Sequence, residues 1–265
     1  MEQINDYDCY LTKMSKTFFD KAWFMSHLSE DILYIIDYGC ADGSFIEFLK
    51  RNCPGYIYVG IDNDPTMQRL TKEKGFQCFS SLKELKENTA IISEKICLVL
   101  NSVIHEIWSY SQESNFLEDL HQFYPKYIAI RDMMYNPLDR TRFYLPYKDY
   151  NKIKSIFEEK YPEQFAEFCN NWKEQDNEVK ITHFLLKYFY KENWKREVKE
   201  NYLPIDINKL RDFLYIEYDI EFQNFYKLPY LVNKWKQDFE LDKNFELNEF
   251  IRNINTHYKM LLKHT

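Results

Sequence analysis

Glycine and proline are scarce in this sequence, with 5 and 8 residues among 265. Flexible linkers are rich in such residues, so their scarcity indicates a chain that is compact throughout. No apolar run reaches the roughly 18 residues that a membrane-spanning helix requires. The first residues, MEQINDYDCY, have neither a basic start nor an apolar core, and they therefore predict no signal peptide.

Positive charge is not in excess. The 35 Lys and Arg residues are outnumbered by 42 Asp and Glu residues, which gives a formal net charge of -7. Nucleic-acid binding depends mainly on Lys and Arg contacts to phosphates, so this balance disfavours a long nucleic-acid surface and leaves only a local basic groove open. A small-molecule partner is the favoured expectation, and the sequence predicts no particular oligomeric state.

Cysteine pairs at metal-ligand spacing are also absent. The six cysteines, at positions 9, 40, 53, 78, 97 and 169, include no C-x-x-C pair and have no nearby His at such spacing. Cys40, Cys78 and Cys97 fall in or beside apolar runs, which indicates buried, reduced thiols. A cytoplasmic, metal-free protein is the expectation.

The first half of the chain contains short apolar runs with helix-like stretches between them. Strands are predicted at 31–39, 55–62, 76–80, 95–102 and 126–132, and helices at 43–52, 65–74, 81–88 and 111–123. This alternation is typical of βα units, and continuous apolar runs are typical of parallel strands buried on both faces.

From about residue 137 the apolar positions recur at helical spacing, which predicts a helical insertion over 137–204. Strand patterns return at 215–228 and 256–263. Residues 1–30 are predicted to form an N-terminal helical cap. The predicted fold class is α/β, a single domain over 1–265 whose sheet is parallel first and closes with a late strand pair.

The end of the first strand carries the sequence IIDYGCADGSF, residues 35–45. A dinucleotide-binding turn needs G-x-G-x-x-G, but the spacing from Gly39 places Ala41 and Ser44 at the other two glycine positions. The sequence follows acid-x-G-x-A-x-G instead, from Asp37 to Gly43. Glycine permits a close backbone approach to a ligand, and Asp37 can bind an ammonium group.

A second acid, Asp62, ends the second strand in YVGIDND. An acid at this position can accept hydrogen bonds from both hydroxyls of a ribose. Asp62 alone is equally well explained as a turn residue, whereas its combination with the first loop indicates a nucleoside that carries an amino-acid part.

The stretches DYGCADG, VGIDNDP, LVLNSVIHEI and YIAIRDMM occur in the order and at the spacings of class I S-adenosylmethionine-dependent methyltransferases, which the chain resembles over about residues 15–135 and its end strands. The resemblance implies a Rossmann-like, mostly parallel seven-stranded sheet with an antiparallel last strand and helices on both faces. It also implies S-adenosylmethionine as cofactor, bound at the carboxyl ends of strands one and two.

The resemblance assigns cofactor-binding roles to ten residues. The methionine part would lie beside the loop after strand one and the end of strand four, the ribose at Asp62, and the adenine beside residues after strands two and three. The ten are Asp37, Gly39, Cys40, Gly43, Asp62, Asn63, Phe79, Ser80, Asn101 and Ser102. Lys13, Lys21 and Phe24 in the N-terminal segment are further candidates to close over this site.

Methyl transfer requires alignment of a nucleophile and removal of its proton. His105 and Glu106 follow strand four directly and are the predicted catalytic residues, with His105 as general base or positioning residue. Either residue is also compatible with a purely structural role. Arg131 and Asp132 end strand five and are predicted to contact substrate, although a structural Arg–Asp pair explains them as well.

The insertion contributes aromatic side chains suited to stacking a planar or sugar-like acceptor: His183, Tyr188 and Trp194. The alternative is a helix whose aromatics pack in a core while its charged face is solvated.

The predicted activity is therefore methyl transfer from S-adenosylmethionine to an O or N nucleophile of a small or nucleotide-like acceptor. The alternatives are a methyltransferase acting on RNA or another nucleic acid, and a non-catalytic partner subunit that binds the same cofactor.

Overall fold

The structure, a computed structural model, describes residues 17–110, 113–136, 145–204, 206–214 and 217–265. The described chain forms two compact units. The sheet unit comprises the described residues of 17–132, 212–224 and 259–265, and the helical unit comprises those of 133–211 and 225–258. The single domain over 1–265 and the helical insertion over 137–204 stay predictions, and the helical unit also includes residues 225–258.

Seven strands form one sheet in the order β3-β2-β1-β4-β5-β7-β6. The strands are β1 (Tyr34–Tyr38), β2 (Ile57–Ile61), β3 (Gln77–Phe79), β4 (Ile96–Asn101), β5 (Tyr127–Met133), β6 (Tyr218–Tyr226) and β7 (His257–His264). Strands β1 to β5 are parallel, whereas β7 is antiparallel to its neighbours β5 and β6. The predicted mixed sheet with an antiparallel last strand is confirmed.

The centre of the sheet is apolar on both faces. Every residue of β4 is buried, and so are the three central residues of β1. This explains why these strands appear in the sequence as continuous β-branched and aliphatic runs. The strand order reverses between β1 and β4, and in open α/β sheets ligands bind at the carboxyl ends of the strands beside such a reversal.

Helices of the sheet unit begin where the sequence supplies caps. They are α1 (Phe18–Lys21), α2 (Ser44–Asn52), α3 (Pro65–Glu73), α4 (Leu82–Asn88), α5 (Ile104–Ser109) and α6 (Glu113–Phe123), with short 3-10 helices at Ala22–His27 and Ser93–Lys95. Asp64 caps α3 by accepting a hydrogen bond from the Thr66 amide, and Pro65 occupies the first turn. Ser81 caps α4 in the same way through Glu84.

Apolar residues at helical spacing fix the buried faces of these helices. Phe45, Ile46 and Leu49 of α2 are buried, whereas Phe48 is half-buried and lies against the rings of Phe18 and Phe19. The predicted cap at 1–30 is described from residue 17 onward, where α1 and the following 3-10 helix lie. Lys13 lies outside the described residues.

The helical unit contains α7 (Tyr147–Lys160), α8 (Pro162–Asn171), α9 (Asn177–Lys187), a 3-10 helix (Lys191–Asn193), α10 (Trp194–Glu197), α11 (Ile207–Leu214), which ends beyond it, α12 (Pro229–Asp238) and α13 (Phe245–Asn253). The sequence pattern above does not assign α12 and α13. They belong here because their apolar faces share one aromatic core with α7 to α9. Its largest fully buried side chains are Phe157, Phe165, Phe168, Phe184, Tyr188, Trp235, Phe239 and Phe250.

Among the described helices, none has the length and apolar character needed to cross a bilayer.

Candidate functional site

The loop after β1 runs through three residues with positive φ: Gly39 at 77°, Ala41 at 49° and Gly43 at 76°. The amide of Gly39 donates to the Ile61 carbonyl at 2.8 Å, which ties the loop to the end of β2. Glycine adopts this backbone region without strain, while Ala41 does so at a cost because of its Cβ. Gly43 forms the cap of α2, so the loop delivers the chain directly into that helix.

The residues beneath this loop are in close contact with one another. The thiol of Cys40 lies 3.7 Å from that of Cys78 on β3, and both are unoxidised. A Cβ placed on Gly60 would come within 2.5 Å of the Cys40 sulfur, so this strand position accommodates only glycine while Cys40 occupies the space. The predicted burial of Cys40 and Cys78 is confirmed, and the buried Cys40 side chain packs beneath the loop.

Asp62 is the carboxylate that holds the loop in place. One oxygen accepts the Ala41 amide at 2.8 Å and the other accepts the Asp64 amide at 2.9 Å. Burial raises the pKa of this half-buried carboxyl, opposed by those two backbone hydrogen bonds. A carboxylate offers about four acceptor positions, so two remain for a ligand beside those used by the backbone.

Asp37 lies one strand away and has a different environment. It is 4% exposed, and its carboxylate makes no hydrogen bond to any residue that the structure describes. Burial raises its pKa to about 7, with Lys21 lowering the value and Asp62 raising it further. A buried acid without a hydrogen-bond partner is costly, and such groups are characteristic of ligand sites.

Asn101 ends β4, beside the end of β1. Both polar atoms of its side-chain amide are buried and lack a hydrogen-bond partner within the described part of the chain. The next residue, Ser102, has a φ of 58° and uses its hydroxyl to accept a hydrogen bond from Arg131 at 2.9 Å. Asn101 is therefore available to a ligand, whereas the Ser102 hydroxyl is already engaged.

Lys21, at the end of α1, is a second buried charged group without a direct partner among the described residues. It is 5% exposed and forms neither a hydrogen bond from its ammonium nor an ion pair there. Burial lowers its pKa to about 8; the Arg131 charge lowers it further, and the acids Asp37, Asp132 and Asp20 oppose the shift.

Arg131, predicted to contact substrate, belongs to a buried ion network. Its Nε donates to Asp20 at 3.0 Å, and Lys259 of β7 donates to the other oxygen of Asp20 at 2.6 Å. Together with the hydrogen bond to Ser102, these contacts join α1 to the ends of β4 and β5 and to β7. The structural alternative therefore accounts for Arg131 through Asp20, a different acid from the neighbouring Asp132.

His105 and Asp132 form a dyad at the same edge of the sheet. The His105 amide donates to one oxygen of Asp132 at 3.1 Å, and its ring Nδ1 lies 2.7 Å from the other. Because a carboxylate only accepts, Nδ1 carries the proton and Nε2 is the basic nitrogen of the ring. Asp132 is fully buried and uses both oxygens on His105, so it supports that residue, and a substrate contact by Asp132 stays a prediction.

The remaining predicted cofactor residues lie at the ends of β2 and β3. Asn63 is exposed, and Phe79 is half-buried with its carbonyl accepting the Asp62 amide at 3.0 Å. The amide and hydroxyl of Ser80 both donate to Glu84 at 2.6 Å. These three residues share the edge on which Asp62 lies. Glu106, the other predicted catalytic residue, is half-buried in the first turn of α5.

The aromatic residues predicted to bind an acceptor lie in the helical unit. His183 is buried, accepts the Tyr202 amide at 3.2 Å through Nε2 and contacts Gln175 through Nδ1. Tyr188 is buried and donates to Asp238 at 2.6 Å. These contacts support the packing alternative for His183 and Tyr188. Trp194 is half-buried and donates to Glu167, and acceptor contact by it stays a prediction.

No protein-family model matches the chain, and no curated protein matches it. Solved structures align with it at low identity. Mycolic acid cyclopropane synthase CmaA1, complexed with SAH and CTAB, aligns with a TM-score of 0.51 and 8% identity over 94% of this chain and 85% of that chain. The plantazolicin methyltransferase BpumL in complex with SAH gives 0.47 and 13% over 96% and 84%. A SAM-dependent methyltransferase from Archaeoglobus fulgidus gives 0.45 and 16% over 96% and 99%.

At these identities the likeness concerns the fold, and of the three alignments only that with CmaA1 exceeds a TM-score of 0.5. The chain has the Rossmann-like fold of class I methyltransferases.

Proposed function

We propose that this protein is an S-adenosylmethionine-dependent methyltransferase that acts on an O or N nucleophile of a small molecule. The observation that carries the proposal is the pair of buried polar groups at the strand-order reversal, Asp37 and Asn101, which have no hydrogen-bond partner among the described residues. Buried polar groups are normally satisfied, so this pair points to a ligand with an ammonium group and further polar atoms.

The amino-acid end of S-adenosylmethionine carries the charged and polar groups that Asp37 and Asn101 lack as partners. Its ammonium would supply a counter-charge to the Asp37 carboxylate, and its polar atoms would satisfy the Asn101 amide. A hydrogen bond to a charged group contributes about 1.5–3 kcal/mol, more than a neutral one. The positive φ angles at Gly39 and Ala41 direct the loop's backbone around the same strand end.

The ribose would bind at the end of β2. Asp62 retains acceptor capacity after binding the Ala41 and Asp64 amides, and two ribose hydroxyls would use it. Because Asp62 also holds the first loop, ribose binding and the loop conformation depend on the same carboxylate. A pyrophosphate would instead place negative charge near two acids, Asp37 and Asp62, which disfavours a nicotinamide dinucleotide.

S-adenosylmethionine supplies a methyl group bound to a positively charged sulfur, which a nucleophile can displace in line. An O or N nucleophile must lose its proton during or after attack, and His105 is the residue proposed to accept it. Asp132 keeps the Nδ1 proton in place and stabilises the imidazolium that forms after proton transfer. Phenol and amine acceptors, each of which must lose a proton, are both compatible with a neutral imidazole base.

A small-molecule acceptor is proposed on charge grounds. A net charge of -7 opposes the many phosphate contacts that hold a long nucleic acid. An RNA substrate would be indicated by transfer of the methyl group to total RNA, and a non-catalytic subunit by donor binding without transfer to any acceptor.

Asp62→Ala is expected to weaken binding of S-adenosylhomocysteine, the reaction product, by about 100-fold, because two hydrogen bonds to a charged acceptor are lost. Isothermal titration calorimetry measures the affinity, and the melting temperature without ligand reports whether the variant folds. Asp31→Ala is the matched control, since it removes an exposed acid that pairs with Lys126. These two residues precede β1 and β5 in the chain, at the ends of the strands away from the proposed site.

Equal affinity of wild type and Asp62→Ala would remove Asp62 from the site. Absence of S-adenosylhomocysteine binding by the wild type, with NADH raising the melting temperature, would replace the proposal with a dinucleotide enzyme.

Binding of S-adenosylhomocysteine is expected to strengthen as the pH rises from about 6 to 8. The pKa of Asp37 is about 7, raised by burial and by Asp62 and opposed by Lys21, so the carboxylate that would meet the ligand's ammonium is mostly protonated below that pH. The affinity is expected to fall about tenfold for each pH unit below 7. Calorimetry from pH 6 to 8 measures this dependence of affinity on pH. The Asp37→Asn variant is expected to abolish it. A dependence that is unchanged in Asp37→Asn would contradict the role assigned to Asp37.

A further inference from the structure

The ammonium group of Lys21 is placed by its neighbour in the chain. Asp20 binds Arg131 of β5 and Lys259 of β7, at 3.0 and 2.6 Å, so α1 is held against the carboxyl end of β5 and the adjoining part of β7. Lys21 follows directly, and its charge interacts with those of Asp37 at the end of β1 and Asp132 at the end of β5. Between β1 and β5 lies β4, so Lys21 belongs to the edge where Asn101 lies.

The acids around Lys21 are not equivalent. Asp20 is engaged by Arg131 and Lys259, and Asp132 uses both oxygens on His105. Asp37 alone among them makes no hydrogen bond within the described chain, and it makes none to Lys21. Two opposite charges are therefore buried near each other without closing into an ion pair.

A buried acid and a buried base held apart are complementary to a zwitterion. Around Lys21 the described side chains carry charges of both signs: Arg131 and Lys259 are further cations, and Asp20, Asp37 and Asp132 are acids, with Asp62 acting on Asp37. An amino-acid group adds one charge of each sign, so it would give Lys21 and Asp37, which have no direct partner among the described residues, one partner each without changing the net charge of the site. Burial of an uncompensated charge is strongly unfavourable, and a ligand lacking one of the two charges would leave one.

We propose that Lys21 binds the α-carboxylate of the donor's amino-acid end, and that it makes the site selective for intact amino-acid nucleosides over decarboxylated ones. This inference rests on the function proposed above. Asp37, at the end of β1, then binds the ammonium of the amino-acid group, and Lys21, in helix α1, binds its carboxylate.

The test is a comparison of two ligands on three proteins by isothermal titration calorimetry at about pH 7.5. The ligands are S-adenosylhomocysteine and its decarboxylated analogue, which differ only in the carboxylate. The proteins are the wild type, Lys21→Met and the control Lys83→Met, which removes an exposed lysine of α4.

Wild type and Lys83→Met are expected to prefer S-adenosylhomocysteine over the analogue by about 10- to 100-fold, the range of a hydrogen bond between charged groups. Lys21→Met is expected to lose this preference by weakening S-adenosylhomocysteine alone, with affinity for the analogue within about threefold of wild type. Lys21→Arg keeps the charge and is expected to retain a preference of the same sign.

A preference that is unchanged in Lys21→Met overturns the assignment of Lys21 while leaving the proposed function intact. Failure of the wild type to bind S-adenosylhomocysteine overturns both. Folding of each variant is checked by its ligand-free melting temperature, and affinities are compared only among variants that show a cooperative unfolding transition.

Discussion

Replacing His105 with glutamine is expected to lower the rate of methyl transfer by about 100- to 10,000-fold, the usual contribution of a positioned general base. Glutamine is similar in size but accepts no proton at neutral pH. Donor affinity is expected to stay within about threefold, because His105 is not among the residues proposed to bind the donor. The measurement is transfer of a radiolabelled methyl group from S-adenosylmethionine to a filtered extract of small metabolites.

The role of Asp132 is separable from its structural contacts by Asp132→Asn. Asparagine keeps one oxygen that accepts the His105 amide, but its NH2 group would donate to Nδ1 and move the ring proton to Nε2. A loss of rate comparable to that of His105→Gln, with an altered pH–rate profile and an unchanged melting temperature, is expected. His121→Gln, an exposed histidine of α6, is the control. Full activity of His105→Gln would exclude the dyad from proton transfer.

Phe184→Ala is expected to destabilise the helical unit by about 3–5 kcal/mol, the range for removing a buried aromatic ring. The ring is fully buried on α9, and its centroid lies 4.8 Å from those of both Phe157 and Phe165. Its removal leaves a cavity between three helices, and rings packed on several sides cannot collapse to fill it. A melting temperature lower by on the order of 10 °C is expected by circular dichroism.

Phe245→Ala is the matched control for that change, because Phe245 belongs to the same unit and is 68% exposed. It is expected to alter the melting temperature by less than about 2 °C, since exposed substitutions usually change stability by under 0.5 kcal/mol. Equal effects of the two substitutions would mean that the aromatic cluster does not determine the stability of the unit.

The parallel strands were predictable because burial on both faces makes them continuous apolar runs. The run at 95–102 became β4, Ile96–Asn101, and the run at 126–132 became β5, Tyr127–Met133. Parallel strands bring their carboxyl ends to one edge of a sheet, and this rule alone is enough to expect Asp37, Asn101 and His105 at the same edge.

The pairings within that edge were not predictable. Asp132 and Arg131 are adjacent in sequence, yet one binds His105 and the other binds Asp20, because successive residues of a strand point to opposite faces. Lys21 was only one of several candidates, since nothing in the local sequence distinguishes a buried lysine from a solvated one. Likewise α12 and α13 are defined by a core whose members are far apart in the chain.

Gly60 limits which residues the loop after β1 can contain. Because the sulfur of residue 40 fills the space that a side chain at position 60 would need, these two positions share one volume between the loop after β1 and strand β2. A larger residue at position 60 therefore requires a smaller one at position 40, whereas a larger residue at position 40 cannot be offset at position 60, because glycine has no side chain to lose. Gly60 of β2 therefore restricts sequence changes in this loop even where the loop glycines and Asp62 are unchanged.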